Sequence, residues 1–167
     1  GVEGRLEAGT GERKIVPNVR PVAGGGHLEV VSMGFLVDGE DEALMWRGLM
    51  LNRAVQHFVE DVRWDDDLDY LLIDMPPGTG DVQLGLARML PQAEMLIVTT
   101  PALAAQKVAA RAATMARKSY LHICGVVENM SAFVAPDGER HAVFGAGGGA
   151  ALAADIGAPL LAEIPIE

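Results

Sequence analysis

Cysteine is nearly missing from this chain: Cys124 is alone among 167 residues. No disulfide can form within it, which fits a reducing cytosol, so a cytoplasmic protein is expected. Basic residues are scarce as well, 13 Lys and Arg against 23 Asp and Glu, for a net charge of −10. An acidic surface without a local basic patch repels phosphate backbones, so no nucleic-acid partner is expected. No apolar run approaches the ~20 residues of a membrane span, and the first residues lack the charged-then-apolar pattern of a signal peptide; no membrane association is expected. Lysine occurs three times, at Lys14, Lys107 and Lys118, and never after a glycine. The phosphate-cradling pattern G-x-x-x-x-G-K-[ST] is therefore absent. The four histidines, His27, His57, His122 and His141, are scattered without ligand spacing, and no His/Cys metal site is expected from them. Repeats and low-complexity segments are lacking too.

What is present reads as one α/β domain over 1–167, with 1–26 as a surface segment. Half the residues are hydrophobic, enough for a real core. His27–Phe35 alternates like a strand. Leu51, Ala54, Val55, Phe58, Val59 and Val62 follow the stripe of a helix laid on a core. Tyr70–Asp74 is a short, continuously apolar strand. Asp81–Leu90 is a helix with Asp81 as N-cap, stopped before Pro91. Glu94–Thr100 is another buried strand, Ala104–Ser119 an Ala-rich helix and His122–Asn129 a strand. Met130–Gly145 reads as a hairpin-like excursion around Pro136-Asp137-Gly138. Gly147–Gly157 is a short helix, and Pro159–Pro165 the last strand. Apolar strands alternating with helices mean a mostly parallel, doubly wound sheet covered on both faces. Such sheets bind ligands at the carboxyl ends of their strands, where Asp74, Thr99-Thr100 and Asn129 would share one crevice.

The stretch "DMPPGTGD" carries the chemistry. An Asp ending an apolar strand either caps a turn or holds magnesium, usually through water, beside nucleotide phosphates. Pro76 and Pro77 stiffen the chain just after Asp74. Gly78 and Gly80 let the backbone approach a ligand, and the next helix turns its free N–H groups and dipole toward the same spot. A γ-phosphate suits such a turn, which can then act as a switch. "GAGGGA" (Gly145–Ala150) fits a dinucleotide pattern, yet no acidic strand comes after it at the distance that reading needs. Cys124 lies in a strand pattern and reads as a buried, inert thiol.

Together, "DYLLIDMPPGTGDVQL" (Asp69–Leu84), "VTTP" (Val98–Pro101), "GVVENMSAF" (Gly125–Phe133) and "FGAGGG" (Phe144–Gly149) strongly resemble the Mrp-type iron–sulfur cluster carrier ATPases, relatives of MinD among the deviant-Walker-A P-loop NTPases. "VVSMGFLVDGEDEALMWRG" (Val30–Gly48) also looks like that family. The resemblance implies a P-loop NTPase fold that binds and hydrolyses ATP with Mg2+ as a homodimer and hands iron–sulfur clusters to client or scaffold proteins. Asp74 would be the magnesium-side acid. Gly78, Thr79 and Gly80 would form the switch turn, Asn129 would read the adenine edge, and Pro165 would lie by the base. The family's first strand and lysine-bearing loop have no counterpart here, so the chain is expected to start after them and not to hydrolyse ATP alone. Many family members carry Cys-x-x-Cys after "ENMS-x-F" as ligands of a bridging cluster. Ala135 stands at the first of those positions and the second has no counterpart, so no iron–sulfur ligands are expected. Two other readings stay open: a dimerisation module without nucleotide or cluster chemistry, and a MinD- or ParA-like positioning ATPase, for which no amphipathic membrane helix is visible.

Overall fold

The computed structural model describes residues 7–8, 15–33, 49–75 and 80–166. The chain divides into two compact units, Gly1–Val82 and Gln83–Glu167.

In the first unit, β1 (Glu7–Ala8) pairs antiparallel with β2 (Ile15–Val16), and β3 (Asn18–Pro21) with β4 (His27–Val30). The glycines of Ala23–Gly26 turn the chain between β3 and β4; Gly24 and Gly25 have φ of +102° and +96°, open only to glycine without strain. The expected His27–Phe35 strand is thus shorter, ending at Val30, and Phe35 falls outside the described residues. It is one arm of a hairpin whose other arm, largely exposed, lies in the segment expected at the surface. Helix α1 (Leu49–Glu60) matches the apolar stripe. Ala54 is buried on it, and Val62 just beyond is fully buried. Val62 bridges to Ile15, and the Ile15 carbonyl accepts from Arg63 N–H, so the segment after α1 is stitched to β2.

The expected strand Tyr70–Asp74 is not formed. Residues 71–75 have no regular structure, and Tyr70 and Leu72 are 83% and 87% exposed. A strand exists only through the ladder of a neighbour, and no described residue supplies one. Apolarity marked the segment without naming its partner.

Helix α2 (Gly80–Met89) starts one residue before the expected cap, so Asp81 lies inside it and is not the N-cap.

The second unit is a parallel sheet packed on helices. Strand β6 (His122–Val134) is flanked in parallel by β5 (Glu94–Thr99) on one side and β8 (Leu160–Ile166) on the other. The short β7 (Arg140–His141) pairs antiparallel with the end of β6. This is the mixed α/β class with parallel pairing that the alternation of elements predicts. Helix α3 (Leu103–Lys118) lays Ala109 and Ala113 on Ile97 and Val126. Small side chains bring its backbone close to the sheet, and helix α4 (Gly148–Asp155) adds Leu152 and Ala153 to the same cluster. Ala87 of α2 meets Ala116 and Leu121 at the far end of α3. The sheet's other side carries Leu96, Val98 and Leu161, about half exposed.

Helix α3 ends in a Schellman motif. The Leu121 N–H donates to the Ala116 carbonyl and the Tyr120 N–H to the Arg117 carbonyl, which puts Tyr120 in the left-handed region at φ +60°. A tyrosine has no reason to be there, and its side chain is 94% exposed. Tyr120→Gly removes the strain and no packing, so it is expected to stabilise the protein by about 1 kcal/mol, read as a raised denaturation midpoint.

Candidate functional site

The carboxyl ends of β5 and β8 and the break in β6 after Asn129 gather most of the described candidate residues. Thr99 is paired with Glu128 in the ladder, which sets Thr100 beside Asn129. Thr99 is 4% exposed, and its hydroxyl donates to the Thr100 carbonyl at 3.2 Å. Across the other ladder Asn129 pairs with Ile164, so Pro165 is the next residue along β8. Pro165 therefore lies diagonally from Asn129, one step beyond its ladder partner.

Strand β6 breaks just after Asn129. Met130 has φ +56°, the ladder with β8 shifts register between Asn129 and Phe133, and the Asn129 Oδ1 accepts the Met130 N–H at 2.9 Å. The side-chain oxygen is thus fixed by its own backbone, with a second lone pair left over. The Nδ2 group bonds to no described residue. An amide held this way can offer one donor and one acceptor to a planar edge.

The residue overlooked in the sequence is Glu128. It is 1% exposed and accepts a hydrogen bond from the Gly149 N–H in the first turn of α4. A carboxylate there satisfies a free helix N–H and complements the dipole. Only the alternation of β6, with Val126 and Glu128 buried on one face, could have revealed it: a charge on the apolar side of a strand needs a partner.

The glycines of "GAGGGA" have packing reasons. Gly147 is the N-cap of α4 at φ +72°. A Cβ at Gly148 would strike Gln106 and the backbone of Pro101; one at Gly149 would lie 2.6 Å from Glu128 Cβ. The loop docks α4 onto the ends of β5 and β6.

Asp74 belongs to the first unit and its side chain is exposed. Gly78 and Thr79 lie outside the described residues; Gly80 opens α2. Asp74 is open to a hydrated cation, which suits Mg2+ held through water. Ala135 sits in the hairpin turn, where its N–H donates to the Glu139 carbonyl and its carbonyl accepts from Gly138. Cys124, half-buried, directs its thiol at the Met95 carbonyl inside the sheet. No described helix is long and apolar enough to cross a membrane.

A parallel sheet whose strand ends meet a glycine-opened helix N-terminus places the second unit among α/β proteins that bind ligands at that edge. The family model ParA, described as NUBPL iron-transfer P-loop NTPase, matches residues 3–167, and the chain belongs to that family. It is 47% identical over 146 residues to an iron–sulfur cluster carrier protein of Mycobacterium leprae, covering 84% of this chain and 38% of that protein. It is 45% identical over 141 residues to the protein so named in Bacillus subtilis, covering 84% and 40%. A solved nucleotide-binding protein of Archaeoglobus fulgidus, described in complex with ADP and with cobalt, superposes with a TM-score of 0.69 at 31% identity, over 98% of this chain and 60% of that one. The chain spans about two fifths of the length of these two curated relatives.

Proposed function

We propose that this chain serves ATP-dependent iron–sulfur cluster transfer as a cytoplasmic homodimer, with clusters as cargo for client or scaffold proteins. The observation that carries the reading is the pairing of Asn129, where β6 breaks, with Ile164, the residue before Pro165 at the end of β8, in a chain of the iron-transfer NTPase family. In this reading Asn129 contacts the adenine edge and Pro165 lines the base. Asp74 stands on the magnesium side, and Gly78, Thr79 and Gly80 form the turn that responds to the γ-phosphate. Magnesium, when bound, neutralises phosphate charge. The phosphate-binding lysine has no candidate here, so ATP hydrolysis is proposed for the family's full machinery. The lone Cys124 and the turn at Ala135 favour a second reading, a dimerising module that holds no cluster through the usual thiols.

Calorimetry with Mg-ATP separates the two. It is run on this chain and on the product of the genomic reading frame that contains it. Binding by the latter, weakened about tenfold by Asn129→Ala through loss of the amide's contact with the base edge, is the expected result. Absence of binding in both would leave only the dimerising module.

A further inference from the structure

We propose that His27, Glu29 and Asp65 form a binding site for a divalent transition ion of the zinc class. The site lies wholly within the first unit. His27 and Glu29 are two apart on β4, so they share a face of the strand. Asp65 comes after the stitched segment beyond α1, and its N–H donates to Glu29 Oε2 at 3.0 Å. The His27 Nε2 lies 3.4 Å from Asp65 Oδ2 and 3.9 Å from Glu29 Oε1. The three ligand atoms all lie within 4.8 Å of one another. Donors sharing one ion at about 2.1 Å stand roughly 3 to 3.5 Å apart, so small side-chain rotations close the set.

Charge and burial argue for a cation. The Glu29 side chain is 9% exposed. Its Oε2 accepts from the Asp65 N–H, and Oε1, which accepts no hydrogen bond from the described residues, faces the imidazole at 3.9 Å. No Lys or Arg among the described residues lies in ion-pair range of Glu29 or Asp65. A buried carboxylate needs a counter-charge. Glu29 is the buried member of the pair, Asp65 being 42% exposed, and a divalent ion held by both would supply its counter-charge. The other histidines each face a single carboxylate, namely Asp61, Glu94 and Glu139; His27 faces two. Glu29 and Asp65 line a surface pocket of about 320 Å³ together with Arg63, Trp64 and Asp66, with room for water to complete the coordination. One nitrogen and two oxygens suit zinc or cobalt, whereas magnesium prefers oxygen alone. Bound there, the ion would clamp the β3–β4 hairpin to the segment after α1.

The test is a titration of the full chain, stripped with chelator and free of nucleotide, with Zn2+ by calorimetry and with Co2+ by visible absorption. One equivalent is expected, with the Co2+ bands displaced by Zn2+ and the melting temperature raised by either ion. His27→Ala and Asp65→Asn, at more exposed positions, are each expected to weaken binding at least about tenfold, and His57→Ala to leave it unchanged. Circular dichroism establishes that each variant folds. If Glu29→Gln unfolds, the two exposed variants still decide. No binding by the unaltered chain would overturn the proposal, as would binding that survives both His27→Ala and Asp65→Asn.

Discussion

Gly148→Ala is expected to cost about 3 kcal/mol, at the upper end of overpacking penalties, and to lower the melting temperature by about 10 °C. The magnitude reflects the atoms that the added methyl meets. A Cβ at position 148 would lie 2.6 Å from the Pro101 carbonyl oxygen and 2.8 Å from Pro101 Cα, and would also strike the Gln106 amide. Gln106 could rotate away, but it would give up its 2.8 Å hydrogen bond to the Pro101 carbonyl. Pro101 cannot move: it is buried, and its ring fixes φ where β5 hands over to α3. The strain must therefore pass to α4, which Leu152 and Ala153 anchor in the core. Denaturant unfolding measures the loss. A change below about 1 kcal/mol would mean that α4 can slide on the sheet, and that the docking of the glycine loop is not what holds it.

Residue patterns made much of the second unit legible. Continuous apolar runs marked β5, β6 and β8, the Ala-rich stretch marked α3, and Pro136-Asp137-Gly138 marked the turn into β7. These signals are local, since each segment's own side chains report its burial or its turn. The failures are non-local. Tyr70–Asp74 has the apolarity of a strand and no described partner. The β3–β4 hairpin was hidden because Ala23–Gly26 reads equally as a linker, and only cross-strand pairing distinguishes a turn. Strand β6 runs on to Val134, past the expected end at Asn129, because β7 and Ile166 pair with its tail. At the site, Asn129 stood out through "VVENMS", a motif borne by resemblance. Glu128, its neighbour, went unread because its partner is a backbone N–H 21 residues away. The same holds for His27, Glu29 and Asp65, where the 36-residue gap to Asp65 conceals the group.

Glu128→Ala is expected to destabilise the protein by about 3 kcal/mol, the net of two opposing effects. Removing a buried carboxylate relieves the cost of keeping a charge out of water. Against that, the Gly149 N–H loses its acceptor in a buried position, the positive end of α4 loses its counter-charge, and a void opens between β6 and α4. The last three win, since nothing else in the first turn of α4 bonds to that N–H. Glu128→Gln separates the contributions: it keeps an acceptor oxygen and the volume but drops the charge, so about 1 kcal/mol is expected for the lost helix-dipole interaction. Equal losses for Gln and Ala in urea unfolding would assign the effect to charge alone, and no loss for Ala would free α4 from β6. Asn129 comes directly after Glu128 on β6. In Glu128→Ala, stability and nucleotide affinity are therefore expected to fall together, whereas Asn129→Ala is expected to lower affinity with a smaller fall in the denaturation midpoint, that of the lost hydrogen bond to the Met130 N–H.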